Sequence, residues 1–206
     1  RALKMAREFS RDREQWGSNI GKHEAIAQKV AFIASHTFAM EAISFYPSML
    51  VDRGGADIRL EAAMCKMFCS EGFWKIIDET MQIRSGRGYE TASSLRARGE
   101  PGVAVERAMR DSRINMIFEG TSEIMRLFIS REALDPHLRR AGSVLNPRAP
   151  LGDKIADGLK AGLHYSWWYL KQWNPVPRGF HVHRRLAGHL GFINLQSRKL
   201  ARSLFH

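Results

Sequence analysis

Apolar residues at Ile26, Val30, Ile33, Phe38 and Ala42 recur every three to four positions, and this spacing constrains the fold more than any other feature of the 206-residue chain. It predicts one long helix from about Lys22 to Arg53, bent near Pro47 and ended by Gly54-Gly55. Asp57 then caps a second long helix, whose predicted apolar face is Ile58, Ala62, Cys65, Cys69, Phe73 and Ile76, and which Gly86 and Gly88 stop. A further helix starts near Thr121 and continues past Arg131. Long helices joined by short turns read as an all-α, up-and-down helical bundle. There is no convincing strand alternation, internal repeat or low-complexity segment. No apolar run reaches the ~18 residues that span a bilayer, and no signal peptide is visible. Cys65 and Cys69 read as buried thiols on one helix face. No second Cys/His cluster completes a tetrahedral metal site, so no metal is expected, and a reducing compartment follows.

Charge divides the chain unevenly. Residues 1–135 carry 20 Lys and Arg against 19 Asp and Glu, whereas residues 136–206 carry 12 against 2. Asn146-Pro147-Arg148-Ala149-Pro150 punctuates the change as a linker, which gives a bundle domain over 1–140 and an appended basic helical segment over 141–206. The segment packs five Tyr and Trp rings into Tyr165–Trp173, with Arg184-Arg185 and Arg198-Lys199 beyond them. Such a mixture suits either an anionic membrane surface or an extra bundle layer. A basic module that binds nucleic acid or a partner protein is the alternative for the chain as a whole. It rests on charge alone, without a recognised nucleic-acid motif.

The chemistry centres on Met116-Ile117-Phe118-Glu119-Gly120-Thr121-Ser122-Glu123-Ile124. Between Phe118 and Gly120, Glu119 is expected to be partly desolvated, which raises a carboxyl pKa toward the range of a general base. Gly120 lets the backbone approach a ligand, Thr121 caps the helix, and Glu123 sits favourably in its first turn.

Three segments together resemble the C-terminal helical domain of the acyl-CoA dehydrogenases, over residues 1 to about 135. The first is Arg11-Asp12-Arg13-Glu14-Gln15-Trp16-Gly17 with Ile20 to Ile26 after it, similar to the family's Arg-x-x-Phe-Gly loop. The second is Gln82-Ile83-Arg84-Ser85-Gly86-Arg87-Gly88-Tyr89, similar to its Gln-x-x-Gly-Gly-x-Gly-Tyr turn. The third runs from Glu106 through Arg110-Asp111 to Glu119-Gly120-Thr121-Ser122-Glu123 and Arg126-Leu127. Ser85 stands where the family's first glycine is common, and Glu24 where glutamine is usual.

The resemblance implies FAD as cofactor, with Arg13 and Gln15, before Trp16, meeting the neighbouring subunit's flavin pyrophosphate in a homodimer or dimer of dimers, Gln82, Ser85 and Gly86 forming a second cofactor contact, and Glu24 beside the adenine or ribose. It implies Thr121 and Glu123 facing the cofactor, Gly120 and Arg131 on the acyl-CoA side, and Glu119 removing the proton α to the thioester. The product is then a trans-2-enoyl-CoA, and electrons pass to an electron-transfer flavoprotein; an acyl-CoA oxidase of the same fold would pass them to oxygen. Without the resemblance, Arg11 and Arg13 read as solvated partners of Asp12 and Glu14, Gly86 as a helix cap, and Arg131 equally as a complement to the helix dipole. The basic extension resembles in layout that of the very-long-chain branch. The chain begins at Arg1 in an apparent helix and ends at Leu204-Phe205-His206, and so reads as a fragment that is inactive alone. Its expected location is the cytoplasm of a bacterium or the mitochondrial matrix of a eukaryote.

Overall fold

The computed structural model describes residues 1–173 and 183–203; the terminal Leu204-Phe205-His206 lie outside the described residues. The chain divides into two compact units, Arg1–Ala133 and Leu134–His206.

In the first unit, α1 (Ala2–Asp12) leads into a hairpin of β1 (Glu14–Gln15) and β2 (Ser18–Asn19), with Gln15 paired to Ser18. Sequence periodicity could not find strands of two residues. The turn between them has positive φ at both central residues, Trp16 (52°) and Gly17 (78°), the geometry that matches strand twist in a tight hairpin. A single 3-10 turn (Ile20–Lys22) precedes α2 (Glu24–Arg53), which contains Pro47 and ends at Gly54 with φ 73°. After α3 (Arg59–Arg84) come α4 (Gly86–Tyr89), α5 (Ala92–Ala97), α6 (Val105–Arg113), a 3-10 turn (Ile114–Met116) and α7 (Ser122–Arg140). Among the described residues the other elements are all helices, so the all-α class stands.

Helices α2 and α3 pair antiparallel. Lys29 meets Glu79, the sulfur of Met40 lies opposite Gly72, and Ser44 Oγ lies 3.6 Å from Cys65 Sγ and 3.7 Å from Cys69 Sγ. Ala6, Ile33, Ile76 and Ile83 form the centre, with Phe9, Ile26, Val30 and Met40 against it. The inward face of α2 is therefore Ile26, Ile33, Met40 and Pro47. Phe38, expected inside, is 74% exposed, and Ala42 is also exposed. In the first turns of α3 it is Ala63, not Ala62, that is buried, one position along the helix, while Ile76 is buried as expected. Cys65 and Cys69 are half-buried and free, with sulfurs 4.0 Å apart, and burial pushes the Cys69 thiol up.

Asp57 contributes to the start of α3 from outside the cap position, accepting from Arg59 N at 3.2 Å while Ile58 is the cap residue. The helix stops at Ser85, not at the glycines, since Gly86 and Gly88 belong to α4. Ser85 has φ 54° and ψ −142°, a region open essentially to glycine alone. Ser85→Gly is expected to stabilise the domain by ~1 kcal/mol and to raise the melting temperature by about 2–4 °C, measured by circular dichroism. An unchanged or lower value would mean that the serine carries no strain.

In the second unit, α8 (Gly142–Leu145), α9 (Leu151–Lys171) and α10 (Arg184–Ser203) follow the end of α7. Asn146–Pro150 is a turn inside this unit, with Asn146 Oδ1 accepting from Arg148 N at 3.0 Å. Tyr165 and Trp168 pack around His137, and Arg198 donates to the Lys171 carbonyl at 2.9 Å. Neither α9 nor α10 contains a buried residue. Ile155, Leu159, Leu163, Trp167 and Leu170, spaced along one face of α9, are each more than half exposed. Among the described residues, no helix is long and apolar enough to cross a membrane.

Candidate active site

The Glu119 loop is built at the junction of α6 and α7. Ile117 N donates to Ile114 O at 2.9 Å, closing the 3-10 turn, and the chain then reverses through two left-handed residues, Glu119 (φ 52°) and Gly120 (φ 96°). A side chain at Gly120 would displace only the flexible Met125 methyl, so it is the dihedral that demands glycine here. Thr121 Oγ1 accepts from Ile124 N at 3.3 Å and caps α7. Hydrogen bonds from its own backbone N–H and from Thr121 hold the Glu123 carboxyl below the usual range.

Glu119 itself is exposed, because Ile117 and Phe118 are 47% and 43% exposed and do not enclose it. The expected desolvation is absent from this chain. What marks Glu119 is its backbone. Only three non-glycine residues among those described have positive φ: Trp16, Ser85 and Glu119, one in each of the three sequence segments singled out above. Strain of this kind collects at functional sites.

The candidate residues fall into two groups. Arg13 caps α1, and its carbonyl accepts from Ile20 N at 2.8 Å. The Gln15 carbonyl accepts from His23 Nε2 at 3.1 Å, and the Trp16 ring, 90% exposed, stands edge-on to His23. Glu24 opens α2 and accepts from Gln28 at 3.0 Å. Gln82, Ser85 and Gly86 are exposed at the end of α3, and Arg84 links this turn to α1 by lying over the Phe9 ring at 5.2 Å. The buried Nε of Arg84 has no hydrogen-bond partner among the described residues.

The second group is Glu119, Gly120, Thr121 and Glu123. Lys66 Nζ donates to the Gly120 carbonyl, which places this group about 24 Å along α3 from Gln82, at 1.5 Å per residue. Arg131 is exposed, ~15 Å along α7 from Thr121. Thr121 and Glu123 line a pocket of about 390 Å³ with Trp74, Arg113, Ser122 and Arg126. Arg113 lies 5.8 Å from the Trp74 ring, Arg126 pairs with Glu71 at 2.6 Å, and the buried Ser122 Oγ has no partner among the described residues. Sequence reasoning missed these pocket residues and Lys66. The one available signal was a lysine inside the apolar stretch Met64-Cys65-Lys66-Met67-Phe68. Among the described residues, no group of three or more His, Cys, Asp or Glu could hold a metal ion.

The family model described as "Acyl-CoA dehydrogenase, C-terminal domain" matches residues 1–134. The chain belongs to the acyl-CoA dehydrogenase family. It is 49% identical to a probable acyl-CoA dehydrogenase, FadE10, of Mycobacterium tuberculosis, over all of this chain and 32% of that protein. It is 38% identical to the human mitochondrial very long-chain specific acyl-CoA dehydrogenase, over 62% of this chain and 18% of that one. The structure of butyryl-CoA dehydrogenase from Megasphaera elsdenii superposes with a TM-score of 0.56 at 28% identity, over 65% of this chain and 32% of that one. The chain thus spans about a third of the FadE10 sequence it matches.

Proposed function

We propose that residues 1–140 are the base-bearing domain of an FAD-dependent acyl-CoA dehydrogenase, inactive on their own, with Glu119 as the group that accepts the α-proton of a fatty acyl-CoA thioester. The observation that carries this reading is the left-handed Glu119–Gly120 pair, held by Lys66 and Thr121 at the start of α7 in a chain of this family. An exposed carboxylate on an anchored loop is available to a substrate that supplies its own apolar surroundings on binding. Enclosure by the acyl chain would then strip water from the carboxylate, which favours its taking up a proton. Its backbone N–H can polarise the thioester oxygen, where negative charge develops as the α-proton leaves.

The residues present fit a flavin dinucleotide in two places. At one end of α3, Arg13 is an exposed guanidinium suited to phosphate. There Gly86 has nothing within 4 Å of where a side chain would be, and Arg84 Nε lacks a partner. At the other place, Thr121 and Glu123 line the pocket that holds the unpartnered Ser122 hydroxyl. A separation of about 24 Å suits two different cofactors better than one, in line with a dimer in which each subunit completes its neighbour's site. FAD when bound supplies the hydride acceptor for the β-hydrogen, and an electron-transfer flavoprotein then takes the electrons. Arg131 would reach the CoA portion. The similarity to very-long-chain relatives supports a long-chain substrate.

Anaerobic bleaching of the full-length protein's flavin by palmitoyl-CoA tests the reaction class. Bleaching without hydrogen peroxide formation in air supports the dehydrogenase; peroxide formed at the bleaching rate would make it an oxidase, and no bleaching would reject both.

A second reading concerns residues 141–206, which we assign to contact with an anionic membrane surface. The exposed apolar face of α9, with Lys171 lying 5.3 Å from the Trp167 ring, favours it over an internal bundle layer. Vesicles containing phosphatidylserine are expected to sediment the protein at low salt and to release most of it at ~0.5 M salt. Equal recovery in the supernatant with and without vesicles would remove this reading.

A further inference from the structure

Lys66 sits in mid-α3, half-buried between two residues of an apolar stretch. Its ammonium donates to the main-chain carbonyl of Gly120, 54 residues on in the sequence. Among the described residues it has no ion pair with a carboxylate. A lysine that gives up part of its hydration for a lone carbonyl dipole is costly unless the contact fixes something, since desolvation disfavours an ammonium.

What it fixes is the loop. Glu119 and Gly120 are consecutive left-handed residues, a conformation that persists only where its surroundings over-determine it. Three contacts do so. Thr121 caps α7 through Ile124 N, Met125 fills the space beside Gly120, and Lys66 grips the Gly120 carbonyl. The first two lie in or beside α7 and move with it. Lys66 is the one of the three that ties the loop to α3, the helix whose Ile76 and Ile83 form the core. The Arg126–Glu71 and Arg59–Glu132 pairs also join α7 to α3, but from positions along α7 rather than at the loop.

We propose that Lys66 is a positioning residue for Glu119: by holding the Gly120 carbonyl it sets the left-handed backbone that presents the carboxylate to the α-carbon. This rests on the assignment of Glu119 as the base. Misplacing a reacting group by about 1 Å can cost ~100-fold in rate, so a tether of this kind acts on the chemical step rather than on binding.

The test uses the full-length protein with Lys66→Met, which keeps the aliphatic stem and removes the donor, and Lys66→Arg, which restores one. Flavin content, palmitoyl-CoA affinity and the anaerobic bleaching rate at saturating substrate are measured for each. Lys66→Met is expected to retain flavin, to change substrate affinity by less than about threefold, and to bleach ~10–100-fold more slowly; Lys66→Arg should recover most of that loss. In a Glu119→Gln background, Lys66→Met should add no further slowing, because the group being positioned is gone. If Glu119→Gln slows bleaching while Lys66→Met does not, the positioning role is overturned and the base survives. If Glu119→Gln has no effect, the base assignment fails first. Loss of folding or of flavin in both Lys66→Met and Lys66→Gln would also overturn the proposal, because it would show a general structural role.

Discussion

Glu119→Gln in the full-length protein is expected to slow anaerobic flavin bleaching by palmitoyl-CoA by at least ~100-fold, and by as much as ~10,000-fold, with flavin content unchanged. The amide matches the carboxylate in size but cannot accept the proton. Little else should change. Glu119 is exposed, and the left-handed backbone it adopts costs glutamine about as much as glutamate. Its thermal stability should therefore stay within ~0.5 kcal/mol of the native protein. Stopped-flow absorbance beside a flavin assay and a melting curve separates a lost base from a damaged fold. A slow variant that had also lost flavin or stability would not support the assignment.

Gly88→Ala is expected to have the largest effect on stability. A methyl group at Gly88 would collide with the carbonyl oxygen of Met81 and lie 2.9 Å from its Cα and 3.0 Å from its carbonyl carbon, all of them backbone atoms of the last turns of α3. Backbone cannot swing aside as a side chain can, so α4 must separate from α3. Overpacking typically costs 1–3 kcal/mol, and this contact belongs at about 3 kcal/mol or above. Gly86→Ala, two residues away, is the comparison. Nothing lies within 4 Å of that position, so stability should change little while flavin retention falls. Urea unfolding of both variants measures the difference; equal midpoints would contradict the packing argument.

Part of this architecture was legible because glycine marks where helices stop. The end of α2 at Gly54 was readable on that ground, and Thr121 could be identified as a cap from its place before Ser122-Glu123. The inward faces were harder. Helix α2 carries two apolar stripes, one through Ile26, Ile33, Met40 and Pro47 and another through Phe38, Ala42, Phe45 and Met49. Periodicity cannot choose between stripes of similar hydrophobicity. The surroundings of Glu119 were misjudged for a related reason. Apolar neighbours in sequence do not enclose a residue unless they are themselves enclosed, and Ile117 and Phe118 are not. The hairpin at Trp16 was too short to show alternation. The grip of Lys66 on Gly120 depends on a contact between positions far apart in sequence, which no local pattern encodes.

The most direct test of Glu119 as the proton acceptor is hydrogen exchange at the substrate's α-carbon. The full-length protein and its Glu119→Gln variant, both with flavin bound, are incubated anaerobically with palmitoyl-CoA in D2O, and deuterium at the α-carbon is followed by mass spectrometry. In the native protein, the proton taken by an exposed carboxylate equilibrates with solvent, and reversal returns deuterium to the α-position. Deuterium is expected at the α-carbon with the native protein and at least ~100-fold more slowly with the variant. Equal incorporation by the two would show that another group removes the proton.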